Sequence, residues 1–179
     1  MVYMLLAEGF EEIEAVFPLD VLRRCGVGIK TVGVASEYVT GSRNVMIKSD
    51  VRLDEMNSCD EITMLIIPGG SGRFNIAKSE QAKALIENCF KANIPVAAIC
   101  GAPEILGEWG LLKGRKSTCY PGLETKLSGA EFINAAVVID ENLITSQAAG
   151  TSEAFAFAIA GFLCGEEKAE EVRKQMVCS

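Results

Sequence analysis

Cys100 sits in the run Ile99-Cys100-Gly101-Ala102-Pro103, where an apolar stretch stops and Pro103 suits the opening turn of a helix. A thiol at such a strand-to-helix turn faces the unpaired amides and positive dipole end of that helix, which favour thiolate and lower the thiol pKa. Gly101 lets the backbone bend sharply, in the manner of a nucleophile elbow that carries Cys in place of Ser. A second reading stays open, a small hydrophobe buried at a strand end. Glu14, at helical spacing, shares a face with Phe17, Pro18, Val21 and Cys25, which puts a carboxyl beside an apolar stripe. A desolvated Glu keeps its proton and can donate a hydrogen bond to a thiolate. The other reading is a solvated helix carboxylate.

Gly69-Gly70-Ser71-Gly72 follows a second apolar run. It lacks the Lys-Ser/Thr ending of a phosphate loop, and its glycines do not match the dinucleotide fingerprint. Amides at Gly70 and Gly101 are therefore read as oxyanion donors, with a tight turn that needs glycine as the plain alternative.

The composition narrows the chemistry further. The 179 residues contain no His, so no Ser-His-Asp triad, Cys-His dyad or His-ligated metal can form, and any acid or base is a carboxyl, Cys, Lys or Tyr. The seven cysteines, Cys25, Cys59, Cys89, Cys100, Cys119, Cys164 and Cys178, show no CxxC spacing, which argues against a disulfide framework or structural zinc and for a reducing, cytoplasmic setting. No cofactor and no metal is expected. A net charge of −7 without a basic run disfavours nucleic acid. Residues 2–7 read as a strand, not a signal peptide, and the longest apolar stretch, residues 154–165, falls short of the roughly 20 residues a membrane span needs.

The elements that must hold these residues alternate along the chain. Strands are expected at residues 2–6, 28–35, 62–67 and 94–99, with extended polar segments over 38–53 and a hairpin from 137–139 and 143–146. Helices are expected at residues 11–25, closed by Gly26 and kinked at Pro18, at 79–92, after Pro103, at 153–164 and at the charged C-terminus. Runs apolar on both faces and spaced by helices predict a single-domain doubly wound α/β sandwich over residues 1–179. The loops after the strands then converge on one crevice.

Taken together, these stretches resemble the ThiJ/PfpI superfamily, most closely the branch containing the Parkinson-disease protein deglycase and the YajL chaperone. The resemblance rests on residues 9–16 (GFEEIEAV), 18–24 (PLDVLRR), Ser42-Arg43, Pro68-Gly69-Gly70, Ala97-Ala98-Ile99-Cys100, Pro103, Thr145-Ser146 and Gly150-Thr151-Ser152. It implies a flavodoxin-like fold, homodimers, Cys100 as reactive thiol, Glu14 as its protonated partner, and anion-binding amides at Gly70 and Gly101, with Arg43 lining the pocket near the dimer interface. It also implies glyoxalase or deglycase chemistry on a small aldehyde or glycated adduct, or an oxidative-stress sensor or chaperone role through a cysteine sulfinate. Two positions depart from the pattern. Tyr120-Pro121 stands where relatives carry His before Pro, and Gln147 where they carry Arg after Thr-Ser. The first departure removes the Cys-His pair a peptidase needs and leaves Glu14 as sole base, with Tyr120 as a candidate to orient substrate.

Overall fold

The computed structural model describes residues 1–56 and 61–178. Cys59 lies outside them. In chain order the elements are β1 (Val2–Leu6), α1 (Glu12–Arg24), β2 (Ile29–Gly33), β3 (Tyr38–Thr40), β4 (Met46–Lys48), β5 (Val51–Arg52) and β6 (Met64–Ile67). There follow α2 (Gly72–Lys78), α3 (Glu80–Lys91), β7 (Val96–Ile99), α4 (Ala102–Glu108), β8 (Lys116–Ser117) and β9 (Glu131–Phe132). The chain closes with β10 (Val137–Asp140), β11 (Leu143–Ser146), α5 (Ser152–Cys164) and α6 (Glu166–Gln175).

The central sheet runs β10-β11-β7-β6-β1-β2-β5. Every neighbouring pair in it is parallel except β10 with β11, which form the expected hairpin. Alternate residues serve opposite faces. Met4, Leu6, Met64 and Ile66 pack with Val21 and Leu22 of α1 and Phe155 and Ile159 of α5. Leu5, Leu65, Ile67 and Ala98 pack with Ile76 of α2, Ile86 of α3 and Leu106 of α4. Both faces are covered, which is why the strands read as unbroken apolar runs. This is the flavodoxin-like α/β sandwich that the sequence implied.

Several elements differ from the sequence reading in physically simple ways. Helix α2 follows directly on the glycine loop, where that reading has no helix before residue 79. Ser79 does cap α3, its hydroxyl accepting Ala82 N–H at 3.2 Å. Helix α1 runs through Pro18 and ends just before Gly26, at φ +78°, as expected. The segments after β2 form a small separate ribbon, β3 with β4, before β5 rejoins the sheet edge.

The topology sets the site. From β1 the chain builds one side of the sheet through β2 and β5, then crosses to the other side at β6. The carboxyl ends of β1 and β6 therefore flank a switch point, the place where such sheets bind ligands.

Candidate functional site

The loops after β1 and β6 are laced together over that switch point. Phe10 and Gly70 form an isolated bridge, Gly72 N–H donates to Gly9 O at 2.8 Å, and Glu11 N–H donates to Gly69 O at 3.2 Å. β7 lies beside β6 and delivers Cys100 from the next strand end. Cys100 itself is the bend, with φ +65°, a left-handed conformation costly for a residue with a Cβ. Gly101, expected to supply that bend, has ordinary helical φ and serves as the N-cap of α4. The strained elbow is clamped at both ends of the residue. Cys100 N–H donates to Ser146 O at 3.0 Å, and Tyr120 N–H donates to Cys100 O at 2.8 Å.

Glu14 is fully buried, so the apolar-face reading of its position holds and the solvated one does not. Its Oε2 accepts Gly69 N–H at 2.8 Å. The carboxyl and the Cys100 thiol each shift the other's proton affinity, and Glu14 Oε1 is buried without a hydrogen-bond partner among the described residues. Gly69 fits between them because it has no side chain. A Cβ there would stand 2.6 Å from Cys100 Cβ and 2.7 Å from Glu14 Oε2.

Burial dominates the electrostatics of the pair. It lifts the Glu14 carboxyl from 4.5 to about 7, against hydrogen bonds from Cys100 and Gly69 that lower it. Burial, followed by the charge of Glu14, pushes the Cys100 thiol up to about 12, while the amides of Gly70 and Gly101 pull it down. The sequence expectation of a depressed thiol pKa is therefore reversed wherever Glu14 is charged: two amides do not outweigh desolvation plus a neighbouring carboxylate. A neutral Glu14 removes the second of those causes, and its O–H then donates to the sulfur. The pair releases one proton near 7 and holds the other to about 12, values that belong to both groups together.

The other expected site residues are spread more widely. Gly70 and Gly101 both direct amides at the sulfur. Tyr120 reaches the elbow through its backbone, while its side chain is exposed. Arg43 lies on the β3–β4 turn with a 73% exposed side chain, whose guanidinium donates to Ser42 O and lies 3.9 Å from Glu11. Gln147 donates to Asn134 Oδ1 at 2.9 Å. Of the remaining described cysteines, Cys89 and Cys119 are buried on the α3/α4 side, and Cys25 neighbours Cys164.

Sequence reasoning missed Arg73 and Glu104. They form a largely buried ion pair, Nε to Oε2 2.9 Å, next to both glycine loops. No local pattern marks it, because the partners stand 31 positions apart on different helices. Among the described residues, no cluster of His, Cys, Asp and Glu could hold a metal ion, and no helix is long and apolar enough to cross a membrane.

The same order of loops and strands is found in known proteins. Residues 1–161 match the DJ-1/PfpI family. The chain belongs to that family. A DJ-1 homolog B from Arabidopsis thaliana is 38% identical over 174 residues, covering 94% of this chain but only 39% of the longer relative. The DJ-1/PfpI protein named Deglycase PfpI of Pyrococcus furiosus is 33% identical over 151 residues, 83% of this chain and 90% of its own length. Among solved structures, DJ-1beta of Drosophila melanogaster superposes with a TM-score of 0.94 at 34% identity, covering 99% of this chain and 97% of the other.

Proposed function

We propose that the chain is a cysteine-dependent stress-response protein, a single domain acting on 2-oxoaldehydes or the adducts they form, without cofactor, in the cytoplasm. The observation that carries this reading is the buried Glu14 carboxyl coupled to a strained Cys100 between two inward amides. The relatives named deglycases support the substrate class.

In the state that loses its first proton near neutrality, the remaining proton rests on Glu14 and the charge on sulfur. The thiolate adds to the aldehyde carbon of a 2-oxoaldehyde, forming a C–S bond and an alkoxide that the Gly70 and Gly101 amides hold. Glu14 gives its proton to that oxygen. As a carboxylate it then removes the hydrogen from the former aldehyde carbon and returns it to the neighbouring carbon, while the hydroxyl proton passes to the neighbouring oxygen, leaving a 2-hydroxyacyl thioester. Water cleaves the thioester to a 2-hydroxy acid and restores the thiol. Methylglyoxal should therefore yield lactate, with turnover abolished in Cys100→Ala and reduced at least a hundredfold in Glu14→Leu, as general acid–base groups commonly contribute about that much. Wild-type protein that forms no lactate overturns the enzyme reading.

A sensor reading is favoured by the unpartnered Oε1, which leaves room at the carboxyl for a proton donated to a cysteine sulfinate. Mild peroxide followed by peptide mass spectrometry should then modify Cys100 first. Modification spread evenly over Cys59, Cys89 and Cys178 contradicts it.

We also infer pairing with a second copy. Ile13 and Val16 on the outer face of α1, with Val45 from the β3–β4 turn and Met46 at the start of β4, are exposed apolar side chains flanking a groove lined by Phe17 and Met176.

A further inference from the structure

We propose that Arg73 is a positioning residue for Cys100, a strap that ties together the two glycine loops whose amides face the sulfur; the role rests on the cysteine reading above. Arg73 stands in the first turn of α2, directly after the glycine loop. Its Nη1 donates to Gly70 O at 2.9 Å, and its Nε donates to Glu104 Oε2 at 2.9 Å in the first turn of α4. The guanidinium also lies 4.0 Å over the Phe74 ring. It crosses the Gly101 backbone so closely that a Cβ on Gly101 would meet Arg73 Cδ and Nε at 2.6 Å. One side chain thus touches both amide-bearing loops.

The peptide geometry explains why a strap is needed. Carbonyl and amide of a trans peptide point to opposite sides. Glu11 N–H holds Gly69 O, so the Gly70 N–H of the same peptide faces away from α1, toward the sulfur. The next peptide plane is held by Arg73 at Gly70 O. Gly70 has φ +76° and no Cβ to bias its conformation, so these outside contacts keep its amide aimed. An ion pair exposed only 18% and 10% carries a desolvation cost that makes it a poor source of stability, which leaves placement as its use.

Glu14 is the charged group that acts on the sulfur, Glu11 beside α1 and Arg73 on α2 act on the Glu14 carboxyl, and Glu104 on α4 pairs with Arg73. A strap and a simple field effect of the cation make opposite predictions. The readout is the iodoacetamide alkylation rate of Cys100 against pH, resolved by peptide mass spectrometry, with thermal unfolding as the check on folding. Arg73→Lys keeps the charge but not the planar fork, so the strap predicts about a tenfold slower rate near neutral pH. An unchanged rate overturns it. Glu104→Leu makes the site more positive, which a field effect turns into faster alkylation, whereas a released strap slows it. Should Glu104→Leu fail to fold, Glu104→Gln keeps an acceptor for Arg73: the strap predicts the parent profile, and a faster rate overturns it. Because alkylation is read rather than turnover, a protein that makes no lactate still tests the strap.

Discussion

Gly69, which has no side chain, separates the Cys100 thiol from the Glu14 carboxyl, and its replacement is the sharpest test of how tightly they are held. A Cβ there has no free space, since Cys100 Cβ and the Glu14 oxygen are both closer than van der Waals contact allows. Gly69→Ala should cost about 2 kcal/mol in denaturant unfolding and slow Cys100 alkylation. Unchanged reactivity would mean that the pair tolerates displacement. Glu14 gives a second prediction, on pH. Its proton is held jointly with that of Cys100, and the pair releases its first proton near 7 in the folded chain against 4.5 for a free carboxyl, so the folded state binds a proton that the unfolded chain has lost. The stability this confers is complete below about pH 4.5 and is lost as pH rises through 7, by roughly 3 kcal/mol. Asp140, which Arg115 holds below the usual carboxylate range, acts only at lower pH. Unfolding free energies at about pH 5 and about pH 8 should differ in the parent and converge in Glu14→Gln; a parent without that slope contradicts the burial argument.

At the scale of elements, the helix caps and loop laces do the positioning. Ser79→Ala removes the bond to Ala82 N–H and should cost about 1 kcal/mol while leaving Cys100 reactivity unchanged, which thermal unfolding and alkylation would check. This cap was legible because Ser-Glu before an apolar stripe is a local signal. So were β1, β6 and β7, whose apolar runs are the direct trace of a sheet covered on both faces, and so were Cys100 at a strand end and Glu14 on a stripe. What local signals could not carry was anything decided by the meeting of distant segments. Helix α2 begins at a glycine and spans seven residues, too short for periodicity to mark it. The position of the strain, on Cys100 instead of Gly101, follows from Ser146 and Tyr120 clamping the elbow from elsewhere in the chain. The raised thiol pKa follows from burial beside a carboxylate, whereas the turn alone argued for a lowered one.

For the whole molecule, the apolar outer face of α1 and the net charge of −7 oppose each other. Identical copies repel, and salt screens that repulsion within about 10 Å at ordinary ionic strength. Sedimentation should therefore find dimers that tighten as salt is raised, and monomers for Val16→Asp. A parent that stays monomeric at all salt concentrations contradicts the pairing.

The reactivity of Cys100 turns on where the shared proton of Glu14 and Cys100 rests after the first one leaves. Thiolate absorbance near 240 nm, recorded across pH for the parent minus Cys100→Ser, reads that directly. A thiolate step close to pH 7, the value to which burial lifts the Glu14 carboxyl, is the predicted result. A difference spectrum that stays flat until the range of about 12, where a thiol beside a charged Glu14 ionises, would contradict it.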